Sequence, residues 1–165
     1  MVMTLENPKI LTLDDFVAVK HALPRQFKLV FTNGCYDILH PGHVDLLQRA
    51  RKLGDGLILG LNSDASVQRI KGDMPGPRRP LNSQDERAYV LAALECVDFV
   101  VVFDEDTPFE LIRAVRPQVL VKGGDWPVEK IVGRDIVEAD GGTVVSLPLL
   151  PGYSTTGLIE RILKG

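Results

Sequence analysis

Five short apolar runs recur along this chain with almost no polar interruption: Lys28–Thr32, Leu57–Leu61, Phe99–Phe103, Val119–Lys122 and Thr143–Leu147. A strand with one wet face alternates apolar and polar residues, whereas continuous apolar runs rich in Val, Ile and Leu fit strands covered on both faces, as in a parallel sheet. The intervening stretches carry helix-start signals. Ser83 and Glu86 have the spacing of a capping box ahead of the apolar-periodic stretch Arg87–Leu94. Thr107-Pro108-Phe109-Glu110 repeats that box with proline at the first helical position. Ser154 precedes Thr155–Leu163, where Leu158, Ile159, Ile162 and Leu163 share one face of a helix. Read in order, the chain predicts a Rossmann-like, doubly wound α/β sheet of about five mainly parallel strands. Residues 1–26 read as a helical extension, with a helix around Leu13–His21 packed outside a single domain over 27–165.

Bulk properties narrow the partners. The 165 residues carry 19 basic and 22 acidic side chains, a net charge of -3, which disfavours a polyanion such as nucleic acid as main ligand. Cys35 and Cys96 are the only cysteines and have no metal-ligand spacing, so a reducing compartment is expected. The first ten residues lack a secretory pattern, and no apolar run is long enough to cross a bilayer. The expectation is a cytoplasmic protein with no membrane partner.

Two segments break the strand–helix rhythm. Lys71–Pro80 (KGDMPGPRRP) is a basic loop rich in Pro and Gly that suits neither a helix nor a central strand. Lys122-Gly123-Gly124-Asp125-Trp126-Pro127 follows a strand at its carboxyl end, where open α/β sheets bind ligands.

The segment richest in chemistry runs from Thr32 to His43 (TNGCYDILHPGH), after the first long strand and into a helix that Pro41 suits as first residue. A turn containing Asn33 and Gly34 lets backbone amides approach an anion. His40 and His43, three residues apart, share one side of the helix start. Imidazole donors beside the partly positive end of a helix suit a phosphate chain. A metal half-site is the alternative, but the third histidine, His21, lies in a different segment, and zinc would need further acidic or thiolate ligands. Seen alone, Ser154-Thr155-Thr156 reads equally well as an ordinary helix cap.

His40-Pro41-Gly42-His43 resembles the HxGH motif of the cytidylyltransferase-like nucleotidylyltransferases, and Ser154-Thr155-Thr156 resembles their second motif, at the start of the last helix. Within that superfamily the chain is similar to the adenylyltransferases of ADP-heptose synthesis, in Gly34–His40, Asn62–Ser66 with Lys71–Asp73, Phe103–Pro108 and Val121–Asp125. Tyr36, where phenylalanine is common, and a long Pro/Arg-rich basic loop depart from that pattern. Nothing in the chain resembles a sugar kinase, so a stand-alone form is expected.

The resemblance implies AMP transfer from ATP to D-glycero-β-D-manno-heptose 1-phosphate, with Mg²⁺ carried by ATP, no protein metal ligand assigned, and a homodimer as assembly. It assigns catalysis to His40, His43 and Lys71, with a solvated loop cation as the alternative for Lys71. Nucleotide contacts fall on Thr32, Asn33, Gly34, Cys35, Tyr36, Gly42, Gly124, Asp125, Tyr153, Ser154, Thr155 and Thr156. Acceptor contacts fall on Asp37, Arg69, Lys122 and Trp126; Asp37 is also suited to ordering its turn, and Trp126 to packing. Arg87 is compatible with a phosphate contact or an inter-subunit acid, while Arg78 and Arg79 read as solvated loop cations or phosphate partners. Three other readings stay open: a cytidylyltransferase acting on glycerol 3-phosphate, a nucleotide-binding module without catalysis, and a dehydrogenase. The last is weakened by a first turn that lacks GxGxxG.

Overall fold

The computed structural model describes residues 6–165, so the first five residues of the N-terminal segment lie outside the described residues. Six parallel strands form one sheet in the order β1-β4-β3-β2-β5-β6. They are β1 (Ile10–Leu11), β2 (Leu29–Gly34), β3 (Gly56–Asn62), β4 (Phe99–Phe103), β5 (Val119–Gly123) and β6 (Thr143–Leu147). The helices are α1 (Leu13–Ala22), α2 (Pro41–Arg51), α3 (Asp64–Lys71), α4 (Gln84–Ala92), α5 (Phe109–Val115), α6 (Arg134–Ala139) and α7 (Thr155–Lys164), with a 3-10 turn over Val128–Lys130.

Every residue of β3 is buried, as its unbroken apolar run requires of a central strand. Successive β3 residues point to opposite faces: Leu57, Leu59 and Leu61 pack with Leu47, Ala50 and Leu91 on one side, and Ile58 packs with Phe31, Leu111 and Ile112 on the other. Two apolar layers therefore enclose the sheet.

The strand count exceeds the expected five by β1, a two-residue edge strand too short to show any period. It is held by the Val100 amide donating to the Lys9 carbonyl at 2.8 Å and by the Lys9 ammonium donating to the carbonyls of Leu94 and Val97 at 3.1 and 2.7 Å. Helix α1 does not lie apart from the body: Phe16 is fully buried in the second layer, edge-on to Phe99 at 5.3 Å.

The capping box of α4 forms as its sequence predicts, with the Ser83 amide donating to Glu86 at 2.8 Å and the Glu86 amide donating to the Ser83 hydroxyl at 3.4 Å. The box expected at Thr107–Glu110 does not form. Pro108 itself caps α5 without a side-chain bond, and Glu110 pairs with Arg113.

The chain leaves β2 toward β3 on one side and returns at β5 on the other, so β2 and β5 diverge in connection while lying side by side. Their carboxyl ends open the crevice where doubly wound sheets bind ligands.

Candidate active site

A cleft of about 710 Å³ opens at that crevice, and both sequence motifs line it: Asn33–Asp37, His40, Gly42 and His43 on one wall, Tyr153–Thr156 on the other. Segments more than a hundred residues apart in sequence thus meet directly. A Cβ built on Gly42 would stand 3.1 Å from both the His40 ring and the Tyr153 Cβ, so glycine is what allows the two walls to close on each other.

The histidines follow from the start of α2. Pro41 takes the first helical position and His40 the cap, in extended conformation, with no side-chain cap bond. Its ring is therefore free to turn into the cleft, where it stacks on His43 with centroids 3.7 Å apart and planes 19° from parallel. The Nδ1 atom of each ring is buried without a hydrogen-bond partner among the described residues. Burial lowers the His40 pKa, and burial together with the His40 ring lowers that of His43 to about 4. Both are thus neutral at pH 7, each with one ring N–H to donate and one bare nitrogen to accept.

Opposite them, the Ser154 hydroxyl accepts the Gly157 amide at 3.0 Å and caps α7. The amides of Thr155 and Thr156, one and two positions after the cap, have no carbonyl to meet within the helix, as at any helix start. They supply a positive helix end to the cleft.

The cleft's lysines are Lys71, at the end of α3, Lys122, at the end of β5, and Lys130, in the 3-10 turn, and Arg79 lines it as well. Lys122 is partly buried, which pulls its pKa down, and its ammonium lies 5.7 Å from the Trp126 ring centre. Trp126 is half exposed at the rim rather than packed in the core. Cys35 lines the cleft as a free thiol whose pKa burial pushes up, which leaves it protonated at neutral pH.

Other residues singled out in the sequence stand elsewhere. Thr32 is buried in β2 and does not line the cleft. Gly124 and Asp125 also fall outside it: the Gly124 amide donates to the Leu147 carbonyl at 2.8 Å, its carbonyl accepts from Ser146, and Asp125 is exposed. Arg69 points away, in an ion pair with Asp106 at 2.7 Å. Asp37, expected to touch the acceptor, has no free oxygen to offer: it pairs with Arg79 and accepts the amides of Leu81 and Asn82 at 2.7 and 3.0 Å. The Arg79 side chain is only 10% exposed, so it is no solvated loop cation, whereas Arg78 stays outside and reaches Gln68 at 3.2 Å. Arg87 is engaged within the chain. It is buried, and its guanidinium donates to the carbonyls of Cys35, Asn62 and Asn82 and to Asp64.

The cleft also uses residues to which the sequence assigned no contact: Asn62, Ile70, Met74, Lys130, Leu149 and Leu150. Asn62 had a readable signal, as the residue directly after the predicted strand Leu57–Leu61, at its carboxyl end. The apolar rim residues had none. Among the described residues, no three His, Cys, Asp or Glu side chains gather as a metal cage, and no helix is long and apolar enough to cross a membrane.

A parallel sheet with an HxGH helix start at its switch point and a Ser-Thr-Thr helix start facing it defines the nucleotidyltransferase class of α/β proteins. The chain belongs to the cytidylyltransferase-like family, whose model matches residues 31–161. It is 56% identical to Bifunctional protein HldE of Trichlorobacter lovleyi over 152 residues, 92% of this chain and 30% of that protein. It is 62% identical to Bifunctional protein HldE of Syntrophotalea carbinolica over 135 residues, 82% of this chain and 27% of that one. The chain thus spans about three tenths of the length of these curated relatives. Among solved structures, a lipopolysaccharide core biosynthesis protein from Thermoplasma volcanium superposes with a TM-score of 0.58 at 25% identity, over 78% of this chain and 99% of that one. A pantoate-beta-alanine ligase from Francisella tularensis shares the fold, with a TM-score of 0.61 at 15% identity over 90% of this chain and 69% of its own.

Proposed function

We propose that this chain transfers AMP from ATP to D-glycero-β-D-manno-heptose 1-phosphate, releasing pyrophosphate and ADP-heptose for lipopolysaccharide core synthesis. The observation that carries transfer is the meeting of His40–His43 and Tyr153–Thr156 across one cleft. The heptose acceptor is supported by the identity to proteins named HldE and by the likeness to a lipopolysaccharide core biosynthesis protein.

In the proposed reaction, an oxygen of the sugar phosphate attacks the α-phosphorus of ATP, a new P–O bond forms, and the bond to the bridging α,β oxygen breaks. The electron pair leaves on pyrophosphate. A phosphate monoester has its second pKa near ~6, so the nucleophile is already ionised at neutral pH and needs no base. This chain's work is positioning and charge stabilisation. The ring N–H groups of His40 and His43 donate to the α- and β-phosphates as charge builds there. The free amides and hydroxyls of Thr155 and Thr156 hold the β- and γ-phosphates, and Lys71 neutralises the chain. Lys122 and Lys130 receive the acceptor phosphate, and the exposed Trp126 ring offers its face to the sugar.

Nucleotidyltransferases generally use divalent metal ions. Mg²⁺ fits this cleft as an ion carried by the triphosphate, because the carboxylates nearest to it, Asp37 and Asp106, are engaged by Arg79 and Arg69. When bound, it supplies neutralisation of the phosphate oxygens.

The test is pyrophosphate release with ATP or CTP against heptose 1-phosphate or glycerol 3-phosphate. Turnover of ATP with the heptose is expected. Turnover only of CTP with glycerol 3-phosphate overturns the substrate assignment, and tight ATP binding with no turnover on any acceptor overturns transfer itself.

A further inference from the structure

Tyr36 adopts a left-handed backbone, φ 45°, that a bulky residue holds only when its surroundings impose it. What imposes it lies on both sides. The Cys35 carbonyl accepts from Arg87 at 2.6 Å. Asp37 is bound through its carboxylate by Arg79, Leu81 and Asn82, while its carbonyl accepts the Asn82 side-chain amide at 2.6 Å. Arg87 also donates to the Asn82 carbonyl at 3.1 Å, closing the two braces into one buried network. The network stands on α4, fixed by its capping box and by buried Ala88, Leu91 and Ala92.

The braced residue is not idle. The Tyr36 ring is buried over Gly34, where an added Cβ would come within 2.7 Å of it, and meets His43 edge-on at 5.1 Å. His43 is therefore sandwiched between Tyr36 and His40.

We propose that Arg87 and Asp37 are positioning residues: they clamp the backbone on either side of Tyr36, and the clamped ring holds His43 in its stack on His40. This rests on the transfer reading for its benefit to catalysis, but not for its geometry.

The histidine ring protons of the full-length chain, followed by NMR from pH 3 to 8, test it without any turnover. In Arg87→Met the His43 titration is expected to rise by about one unit or more, as water reaches a ring no longer packed. Tyr36→Leu, which removes the ring and leaves both braces, should move it the same way. With ATP and acceptor, kcat of each variant should fall about 10²-fold, the cost of a small misplacement, while KM for ATP stays within about threefold. An unmoved His43 titration in folded Arg87→Met, or in Tyr36→Leu where Arg87→Met does not fold, overturns the proposal. A lowered melting temperature without that shift does the same, because Arg87 then only stabilises. A wild-type chain that transfers no nucleotide sinks the functional reading and leaves the titration comparison standing.

Discussion

The rings of His40 and His43 lie 3.7 Å apart in a stack, each with a buried Nδ1 that meets no partner among the described residues. Two neutral imidazoles so placed present a pair of polar edges to one point. An unpartnered buried nitrogen is costly to maintain, and the fold carries that cost at both rings.

Removing either ring should therefore cost turnover rather than fold. His40→Ala and His43→Ala are each expected to lower kcat about 10²–10³-fold, the usual loss for one well-placed transition-state donor. Pyrophosphate release, alongside a far-ultraviolet spectrum matching wild type, checks this.

The pH dependence of stability has a definite sign. His43 is held at about 4 in the fold, below its ordinary value near 6.5. Above that ordinary value both states are neutral and nothing is lost. Between pH 6.5 and 4 the unfolded chain takes up a proton that the fold refuses, so stability falls across that window and levels off below it. Urea midpoints at pH 7 and 4.5 should drop less in His43→Gln than in wild type.

Lys122 and its Trp126 neighbour are the proposed acceptor wall. Lys122→Met is expected to raise KM for the sugar phosphate about tenfold or more, the worth of one charged hydrogen bond. KM for ATP should stay nearly unchanged, and initial-rate kinetics with each substrate varied in turn separate the two.

Arg79→Met should destabilise the fold by about 3 kcal/mol, as expected when one member of a buried ion pair is removed and the other is stranded. The amides of Leu81 and Asn82 still serve Asp37, which keeps the loss at the lower end of that range. Denaturant unfolding at pH 7 measures it.

Gly42→Ala probes the meeting of the two walls. Its new methyl would press on the His40 ring and Tyr153 at 3.1 Å. Overpacking of this kind costs about 1–3 kcal/mol, and here the easiest relief is to spread the walls. A marked loss of kcat with a modest fall in melting temperature is expected.

Much of this molecule is written locally. The strands that an unbroken apolar run can reveal, β2 to β6, lie where those runs lie, and Ser83, Ser154 and Pro41 mark helix starts by their own chemistry. What was hidden depends on partners far along the chain. Ile10 and Leu11 become a strand only because Val100 and Val101 are there to pair with. Arg79 looks like a surface cation until Asp37, 42 residues away, draws it inside. Arg87 satisfies three carbonyls from three segments, a role that no spacing rule encodes. Thr107–Glu110 has the letters of a capping box, yet Pro108 takes the cap and Glu110 turns to Arg113.

Helix α7 gives one wall of the cleft but commits only Ile159 to the buried interior, with Ile162 and Leu163 left 66% and 70% exposed. The scaffold and the proposed grip on the triphosphate are thereby separable. A chain interrupted after residue 150 would retain the six described strands and nearly all of the apolar interior, and would persist as a well-formed but silent protein, half of the proposed phosphate cradle gone.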